Sequence, residues 1–348
     1  MDSGDLGYLR PAALAHWLDA HGAPGAGEPL SIERLSGGTQ NDLFALQRGE
    51  HRMVLRRPPR VVPSGRAQGM RREHRLLQAL RGTDVPHARL IAGDDSDDLM
   101  GTPFYVMEWV EGWSPTKQWE TPFDVDLEAR RELAFELIES AGQLARVDWR
   151  ANGLEGFGRP EGFHERQVDR WLAYLDEYRV RDLDGIDVAS DFLRRHRPDT
   201  FTPGIMHGDY QLFNVMFRHG LPASLAAIID FEMTTIGDPL VDLGWAVLDW
   251  GPGCEDIRRV EVDLAGMPEP AEALARYTAV SGLTTDRLDY YVVLARWKLA
   301  IVLEKSYARW QAGEAVDPAV YRFEELIPNL MRQAAELAST SDLEERHL

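Results

Sequence analysis

The chain has 348 residues, of which 44% are hydrophobic, and its formal net charge is −19. This length accommodates two lobes, and the acidic balance argues against non-specific nucleic-acid binding and against an anionic membrane surface. The single cysteine, Cys254, excludes an intrachain disulfide and indicates a reducing compartment. The first residues lack a signal-peptide pattern, and the most apolar stretch, residues 290–303, is interrupted by Arg296 and Lys298. We therefore expect a cytoplasmic protein without a membrane span.

The first predicted elements are a helix, a linker and two short strands. Leucines at helical spacing, with Pro11 near the start, predict a helix over residues 9–20, and residues 22–27 are typical of a linker. Residues 32–35 and 43–46 have the pattern of strands, joined by a loop over 36–41 that contains two glycines. Such a loop lets backbone N–H groups approach anionic oxygens, although a Gly-Gly hairpin is usually only a turn.

The next elements are a strand and a helix that each carry a charged residue on a conspicuous face. Residues 51–56 alternate as a strand, which places Val54 and Arg56 on the same face. A helix is predicted over 70–80, and its apolar stripe includes Glu73. A carboxylate on an apolar face requires a cation. Arg56 is the candidate, and the alternative is a local pair with a neighbouring arginine.

An apolar strand over residues 104–107 then leads to Gly112, after which the chain has mainly helical patterns. We predict an N-terminal lobe over residues 1–110 and a C-terminal lobe over 111–348. The second lobe has helical patterns over 126–147, 164–178, 188–195, 270–280, 286–311 and 318–337. Asp238 before Pro239 has the pattern of a further helix start.

The stretch from His207 to Asn214 reads His-Gly-Asp, four spacers, then Asn, and Asp230 and Glu232 follow it. Short apolar strands over 215–217 and 226–229 flank these polar residues. Phosphoryl transfer from a nucleotide needs this set, because one carboxylate deprotonates the attacking hydroxyl while an amide oxygen and a second carboxylate hold Mg²⁺. The alternative is an ordinary turn in which Asp209 caps its own backbone.

This segment resembles the catalytic segment of the aminoglycoside phosphotransferase and choline kinase family, and especially the kinase-like domains related to those fused to acyl-CoA dehydrogenases. The resemblance extends from about residue 30 to the C-terminus and is most specific in the His-Gly-Asp segment. It implies an α+β, two-lobed protein-kinase-like fold, with a small antiparallel-sheet N-lobe and a larger, mainly helical C-lobe. It also implies ATP- and Mg²⁺-dependent phosphorylation of a small-molecule hydroxyl, with GTP as an alternative donor.

The resemblance implies a role for each matching residue. Asp209 is the catalytic base, Asn214 and Asp230 bind the metal, and Glu232 adds a second-metal or water-mediated contact. His207 fixes the loop by hydrogen bonding, and a structural role, bonding the same loop, is expected for Asp242. The nucleotide-binding residues are Gly37, Gly38, Thr39, Asn41, Val54, Arg56, Glu73, and the backbone of Glu108 and Val110. The family usually has Lys where this chain has Arg56, and Arg retains the charge and can bind phosphate bidentately.

The helix over 286–311 supplies the predicted acceptor residues, Trp297 and Lys298. A cation there suits an anionic acceptor such as a hydroxyacyl-CoA, whereas a polycationic aminoglycoside requires carboxylates. The alternative for Lys298 is a stem packed on the core with its ammonium in water. A non-catalytic nucleotide-binding scaffold and a true aminoglycoside kinase stay open as functions, as do a monomer and a homodimer. A protein kinase is disfavoured because the sequence has no Ala-Pro-Glu segment.

Overall fold

The computed structural model describes residues 6–35, 41–62, 65–251, 253–314 and 318–343. The chain divides into two compact units. The first unit comprises Met1–Glu111, Trp149–Phe157 and Ala226–Glu232, and the second comprises the remainder. Two segments that the sequence analysis assigned to the C-terminal lobe therefore group with the sheet of the first unit, and one of them carries Asp230 and Glu232.

The first unit is built on an antiparallel sheet. Its elements are α1 (Pro11–Ala20), β1 (Leu30–Arg34), β2 (Asp42–Arg48), β3 (His51–Arg57), α2 (Arg66–Ala79), β4 (Leu90–Asp94) and β5 (Phe104–Glu108). The sheet order is β1-β2-β3-β5-β4, and each pair of neighbours is antiparallel. Met53 and Leu55 join the buried core that also contains Leu14 and Leu18 of α1. Because side chains alternate along a strand, Val54 and Arg56 lie on the opposite face of β3.

The second unit is mainly helical. Its elements are α3 (Leu127–Ala145), α4 (Gln167–Asp176), α5 (Ile186–Arg195), β6 (Gly204–Met206), β7 (Val215–Phe217), the start of β8 (Leu225–Ile228), β9 (Thr235–Gly237), α6 (Leu240–Val247), α7 (Pro270–Ser281), α8 (Leu288–Gln311) and α9 (Phe323–Thr340). Strands β6 and β9 pair antiparallel, and β9 was not predicted. Helix α8 packs against α4, α5, α6 and α9, so it is surrounded along much of its length.

The helix ends follow the capping pattern of the sequence. Asp126 accepts hydrogen bonds from the backbone N–H groups of Glu128 and Ala129, both at 3.0 Å, and α3 begins at the next residue. Asp238 likewise accepts from the N–H of Leu240 at 3.1 Å, and α6 begins at Leu240 rather than at Pro239. Across the part of the chain that the structure describes, no helix combines the length and apolarity needed to cross a bilayer.

Candidate active site

The His207–Asn214 segment of the second unit is held by a buried carboxylate. Asp242, in the first turn of α6, accepts hydrogen bonds from the backbone N–H groups of His207 at 2.6 Å and Gly208 at 2.9 Å. Gly208 has φ 86°, and a Cβ there would lie 2.7 Å from the carbonyl oxygen of Met233, so only glycine fits this turn. The two bonds fix the backbone that leads into Asp209, which confirms the structural role expected for Asp242.

The electrostatics of Asp242 are dominated by its burial. Removal from water raises the pKa of Asp242 to about 6, against the opposing influence of His207, the two backbone N–H groups and Lys298. The carboxylate therefore holds the loop at a cost in solvation that its hydrogen bonds offset only partly.

The Asp209 carboxylate receives a hydrogen bond on each oxygen. Gln211 donates from Nε2 to Oδ1 at 2.5 Å, and Asn214 donates from Nδ2 to Oδ2 at 2.9 Å. Asn214 also donates to the Asp209 carbonyl at 2.8 Å, and His207 Nδ1 accepts from the Asp209 N–H at 3.3 Å. With its amino group committed to Asp209, the amide oxygen of Asn214 is the atom that can bind a cation. The expectation that His207 fixes this loop by hydrogen bonding agrees with its contact.

Lys298 of α8 has its ammonium inside the second unit, between two indole rings. The residue is 8% exposed, and Nζ lies 5.1 Å from the ring centroid of Trp171 and 5.2 Å from that of Trp245. Burial lowers the pKa of Lys298 to about 8, while Asp209 and Asp242 act to raise it. The ammonium is therefore largely enclosed by side chains, whereas the alternative placed it in water.

Trp297, predicted beside Lys298 as an acceptor residue, is part of the core instead. Its side chain is fully buried, and its indole N–H donates to Ser190 Oγ of α5 at 3.1 Å. Because α8 has neighbours on nearly every side, two consecutive residues both point inward, toward different partners. The ring of Trp297 has no surface to offer an acceptor, and this correction removes it from the candidate site.

The candidate phosphate-binding group lies in the first unit. Arg56 Nε of β3 is 2.9 Å from Glu73 Oε2 of α2, so the ion pair expected from the sequence is present. Arg56 Nη2 is also 3.4 Å from Asp230 Oδ1, and the Tyr105 hydroxyl donates to Glu73 Oε2 at 2.8 Å. Burial raises the pKa of Glu73. Burial alone would lower the pKa of Arg56, but the surrounding acidic groups outweigh it and raise that pKa.

Asp230 and Glu232 follow β8 in this same unit. Asp230 has φ 62°, an uncommon backbone conformation that Asp tolerates better than most residues, and its side chain is 43% exposed. Glu232 Oε2 lies 3.3 Å from Arg66 Nη1, and burial followed by the charge of Asp230 raises the pKa of Glu232. A carboxylate whose ionisation is disfavoured by burial and by a neighbouring carboxylate, as at Glu232, favours a cation, and carboxylate oxygens suit Mg²⁺. Within the described ranges, no three His, Cys, Asp or Glu side chains are grouped as a metal site.

The other predicted nucleotide-binding residues are spread along the sheet of the first unit. Val54 lies on the Arg56 face of β3, Asn41 is buried just before β2, Glu108 ends β5, and Val110 follows that strand. The Glu108 N–H donates to the Arg89 carbonyl at 2.9 Å. Gly37, Gly38 and Thr39 lie outside the described residues.

The sequence analysis missed two residues that contact this site, Gln211 and Arg259. Gln211 lies inside the His-Gly-Asp to Asn segment, where it was treated as a spacer. Arg259 Nη1 donates to Gln211 Oε1, although 48 positions separate the two residues in sequence. Strands β7, β8 and β9 and helix α6 lie between the two residues, and no motif or spacing in the sequence connects them.

The sequence profile of the Phosphotransferase enzyme family, APH, matches residues 31–289. The chain belongs to this family of phosphotransferase enzymes, as its sequence predicted.

The curated relatives are longer proteins. Acyl-CoA dehydrogenase family member 11 of Gallus gallus is 29% identical over 324 residues, which cover 89% of this chain and 40% of the relative. Acyl-CoA dehydrogenase family member 10 of Mus musculus is 24% identical over 89% of this chain and 29% of its own length. The chain thus spans less than half of the relatives that it matches.

Solved structures share the fold over nearly the whole chain. A Ralstonia eutropha protein named as a candidate aminoglycoside phosphotransferase is 26% identical, with a TM-score of 0.82 over 95% of this chain and 99% of that one. The GDP complex of aminoglycoside 2'-phosphotransferase-IIIa has a TM-score of 0.60 at 17% identity, covering 94% and 98% of the two chains. Spectinomycin phosphotransferase with ADP and spectinomycin has a TM-score of 0.59 at 12% identity, with the same coverage. These structures confirm the predicted α+β kinase-like fold class, with one sheet-based and one mainly helical unit.

Proposed function

We propose that this protein transfers the γ-phosphoryl group of ATP to a hydroxyl of a small anionic molecule, with Mg²⁺ and with Asp209 as the base. The observation that carries the proposal is the carboxylate of Asp209, which two amide donors, Gln211 and Asn214, hold in a fixed orientation. Structural neighbours in complex with ADP and with GDP support a nucleotide co-substrate. A scaffold that only binds nucleotide would not need an oriented carboxylate at this position.

In the proposed reaction, the acceptor oxygen forms a bond to the γ-phosphorus as the bond from that phosphorus to the leaving oxygen of ADP breaks. The hydroxyl proton goes to a lone pair of Asp209 that the amides do not use. The residues that would hold Mg²⁺ are Asn214, through its amide oxygen, Asp230 and Glu232, and the ion would neutralise charge on the phosphates. Arg56, oriented by Glu73, would bind the phosphates as a fixed guanidinium.

Lys298 supports an anionic acceptor. No carboxylate of the described residues lies within ion-pair distance of this buried ammonium, which instead has the faces of Trp171 and Trp245 beside it. A carboxylate or phosphate on the acceptor would supply the missing partner, whereas a polycation would be repelled. Among anionic acceptors, a hydroxyacyl-CoA is the first to test, since matched relatives are named as acyl-CoA dehydrogenase family members.

The experiment is a nucleotide-consumption screen with Mg²⁺ and either ATP or GTP over hydroxyacyl-CoAs, free hydroxy acids and aminoglycosides. Asp209→Ala serves as the negative control. On the acceptor found, Lys298→Met should raise the acceptor KM at least about tenfold and leave the nucleotide KM unchanged. The matched control is Lys305→Met, on the same helix, where the ammonium lies 4.4 Å from the Tyr178 ring near the surface. Unchanged acceptor kinetics in Lys298→Met, or efficient phosphorylation of kanamycin by the wild type, contradicts the anionic acceptor.

A further inference from the structure

A second guanidinium, Arg259, reaches the catalytic segment from outside it. We infer that Arg259 is a positioning residue for Asp209 and acts through the side chain of Gln211. The inference rests on the proposed role of Asp209 as the base, and it assigns a function to two residues that the family pattern left unassigned.

The contacts form a continuous chain within the second unit. Arg259 Nη1 donates to Gln211 Oε1, and Gln211 Nε2 donates to Asp209 Oδ1 at 2.5 Å. Gln211 is buried, so water competes little for these two hydrogen bonds. The geometry therefore links a guanidinium to the reacting carboxylate through one carboxamide.

The chemistry of the three groups allows only one orientation of that carboxamide. A guanidinium can only donate hydrogen bonds, and an ionised carboxylate can only accept them. Gln211 satisfies both neighbours when its oxygen faces Arg259 and its amino group faces Asp209. A rotation of half a turn would set two donors against each other on one side and two acceptors on the other. Arg259 thus determines which face of the amide Asp209 meets.

Arg259 is itself fixed from two further directions. Its Nε lies 3.4 Å from Asp249 Oδ2, and its Nη2 donates to the carbonyl oxygen of Trp245 at 3.4 Å. The side chain of Arg259 is 8% exposed, and that of Asp249 is similarly buried. The charge of Asp249 makes the burial of this guanidinium tolerable, and the backbone contact ties it to α6.

The consequence for catalysis follows from the two oxygens of Asp209. Oδ2 is held by Asn214, whose amide oxygen would hold the proposed metal. Oδ1 is held by Gln211, whose orientation depends on Arg259. Without Arg259 the Gln211 oxygen loses the donor that anchors it, so the amide and the Oδ1 that it holds can move, and the base shifts away from the hydroxyl. This affects turnover rather than nucleotide binding, because no nucleotide contact is removed.

The test is a double-mutant cycle on Arg259→Met and Gln211→Leu, with hydrolysis of Mg²⁺·ATP by water as the reaction, so that no identified acceptor is required. Arg259→Met should lower kcat about 10–100-fold, the usual effect of losing a residue that orients a reacting group, and should change the ATP KM less than about threefold. In the Gln211→Leu background the same substitution should cost less than about threefold, because Arg259 acts through Gln211. A second readout is the side-chain amide ¹⁵N signal of Gln211, identified by its loss in Gln211→Leu. Its two proton shifts should move in Arg259→Met.

Controls separate this inference from general destabilisation and from the assignment of the base. Arg130→Met removes another buried arginine of the second unit, whose partners include the carbonyl oxygens of Phe123 and Asp124, and should leave kcat unchanged. Gln211→Glu keeps the contact with Arg259, sets a carboxylate against Asp209, and should lose at least as much turnover as Gln211→Leu.

The outcomes distinguish two failures. An equal cost of Arg259→Met in both backgrounds, unmoved Gln211 signals, or full activity in Gln211→Glu overturns the positioning role. If Asp209→Ala hydrolyses ATP like the wild type, the base assignment fails. If Asp209→Ala is inactive while the cycle is additive, only the role of Arg259 fails.

Discussion

Asp242→Asn is the substitution whose effect can be worked out most fully from the structure. The carboxylate accepts hydrogen bonds from the N–H groups of His207 and Gly208, and it is completely enclosed. Two influences compete: the N–H groups favour the ionised form, and burial favours the protonated form. The balance favours burial, which raises the pKa of Asp242 from its ordinary 3.8 to about 6.

The raised pKa of Asp242 makes the free energy of unfolding depend on pH, with a direction and a magnitude that follow from the shift. Since the folded protein holds the proton more tightly than the unfolded chain, the contribution of Asp242 is fully present below about pH 4 and is lost as the pH rises through about 6. The separation between the two pKa values corresponds to about 3 kcal/mol in total, of which about 2 kcal/mol falls between pH 4.5 and 7.5. Asparagine does not titrate, so Asp242→Asn lacks this pH dependence.

The assay is urea unfolding of the wild type and Asp242→Asn across pH 4.5–7.5, because titrations common to both proteins cancel in the difference. The free energy of unfolding of the wild type, relative to the variant, should fall by about 2 kcal/mol as the pH rises. A flat difference for Asp242→Asn, or one that increases with pH, would refute the reasoning, because it would mean that the two N–H groups outweigh burial.

Two further predictions concern the first unit. Arg56→Met leaves Glu73 buried without its cation and should lower the free energy of unfolding by about 3–5 kcal/mol, measured in urea titrations. Adding Glu73→Leu to this variant should recover much of the lost stability. A double variant as unstable as Arg56→Met would contradict the pairing. Asp230→Ala should weaken Mg²⁺·ATP binding at least about tenfold, or ~1.4 kcal/mol, without weakening metal-free ATP, because it removes an anion as well as a ligand. Calorimetry with and without Mg²⁺ decides this, with Asp97→Ala as the control, and an equal loss in both conditions would exclude a metal role for Asp230.

Local patterns in the sequence predicted much of the fold and the centre of the site. The spacing from Asp209 to Asn214 is short enough for one loop to bring the side chains into contact, and alternation on β3 gave the correct face for Arg56. The start of α3 was predicted within one residue because Asp126 caps it, and α6 begins one residue after the predicted Pro239, with Pro239 rather than Asp238 as its N-cap residue. The start of α9 was misplaced because residues 318–322 form a separate 3-10 turn, and no cap marks the boundary.

Contacts between distant parts of the chain could not be predicted in this way. Arg259 lies in a loop without periodicity, and no feature of the sequence pairs it with Gln211. Trp297 was misjudged because an amphipathic stripe assumes that a helix has one solvent face, whereas α8 is packed on nearly every side. The grouping of residues 226–232 with the first unit depends on the path of the chain, which composition does not record.

Arg56 stands where the family usually has lysine, and the composition of the whole chain accounts for this difference. Lysine occurs at only three positions, 117, 298 and 305, although lysine and arginine together number 38. An arginine in place of a lysine is therefore the common choice in this chain. A lysine at a buried position is the unusual one, which draws attention again to Lys298.

The most direct test of the central claim is single-turnover phosphoryl transfer by Asp209→Asn and Asp209→Ala, measured with the acceptor found in the screen. Two variants are needed because an asparagine would turn an amino group toward one of the two amide donors, Gln211 or Asn214, whereas alanine removes the group. Both should bind Mg²⁺·ATP like the wild type and transfer the phosphoryl group about 10²–10⁴-fold more slowly. Transfer at the wild-type rate in either variant would contradict the account, since Asp209 could then not be the base.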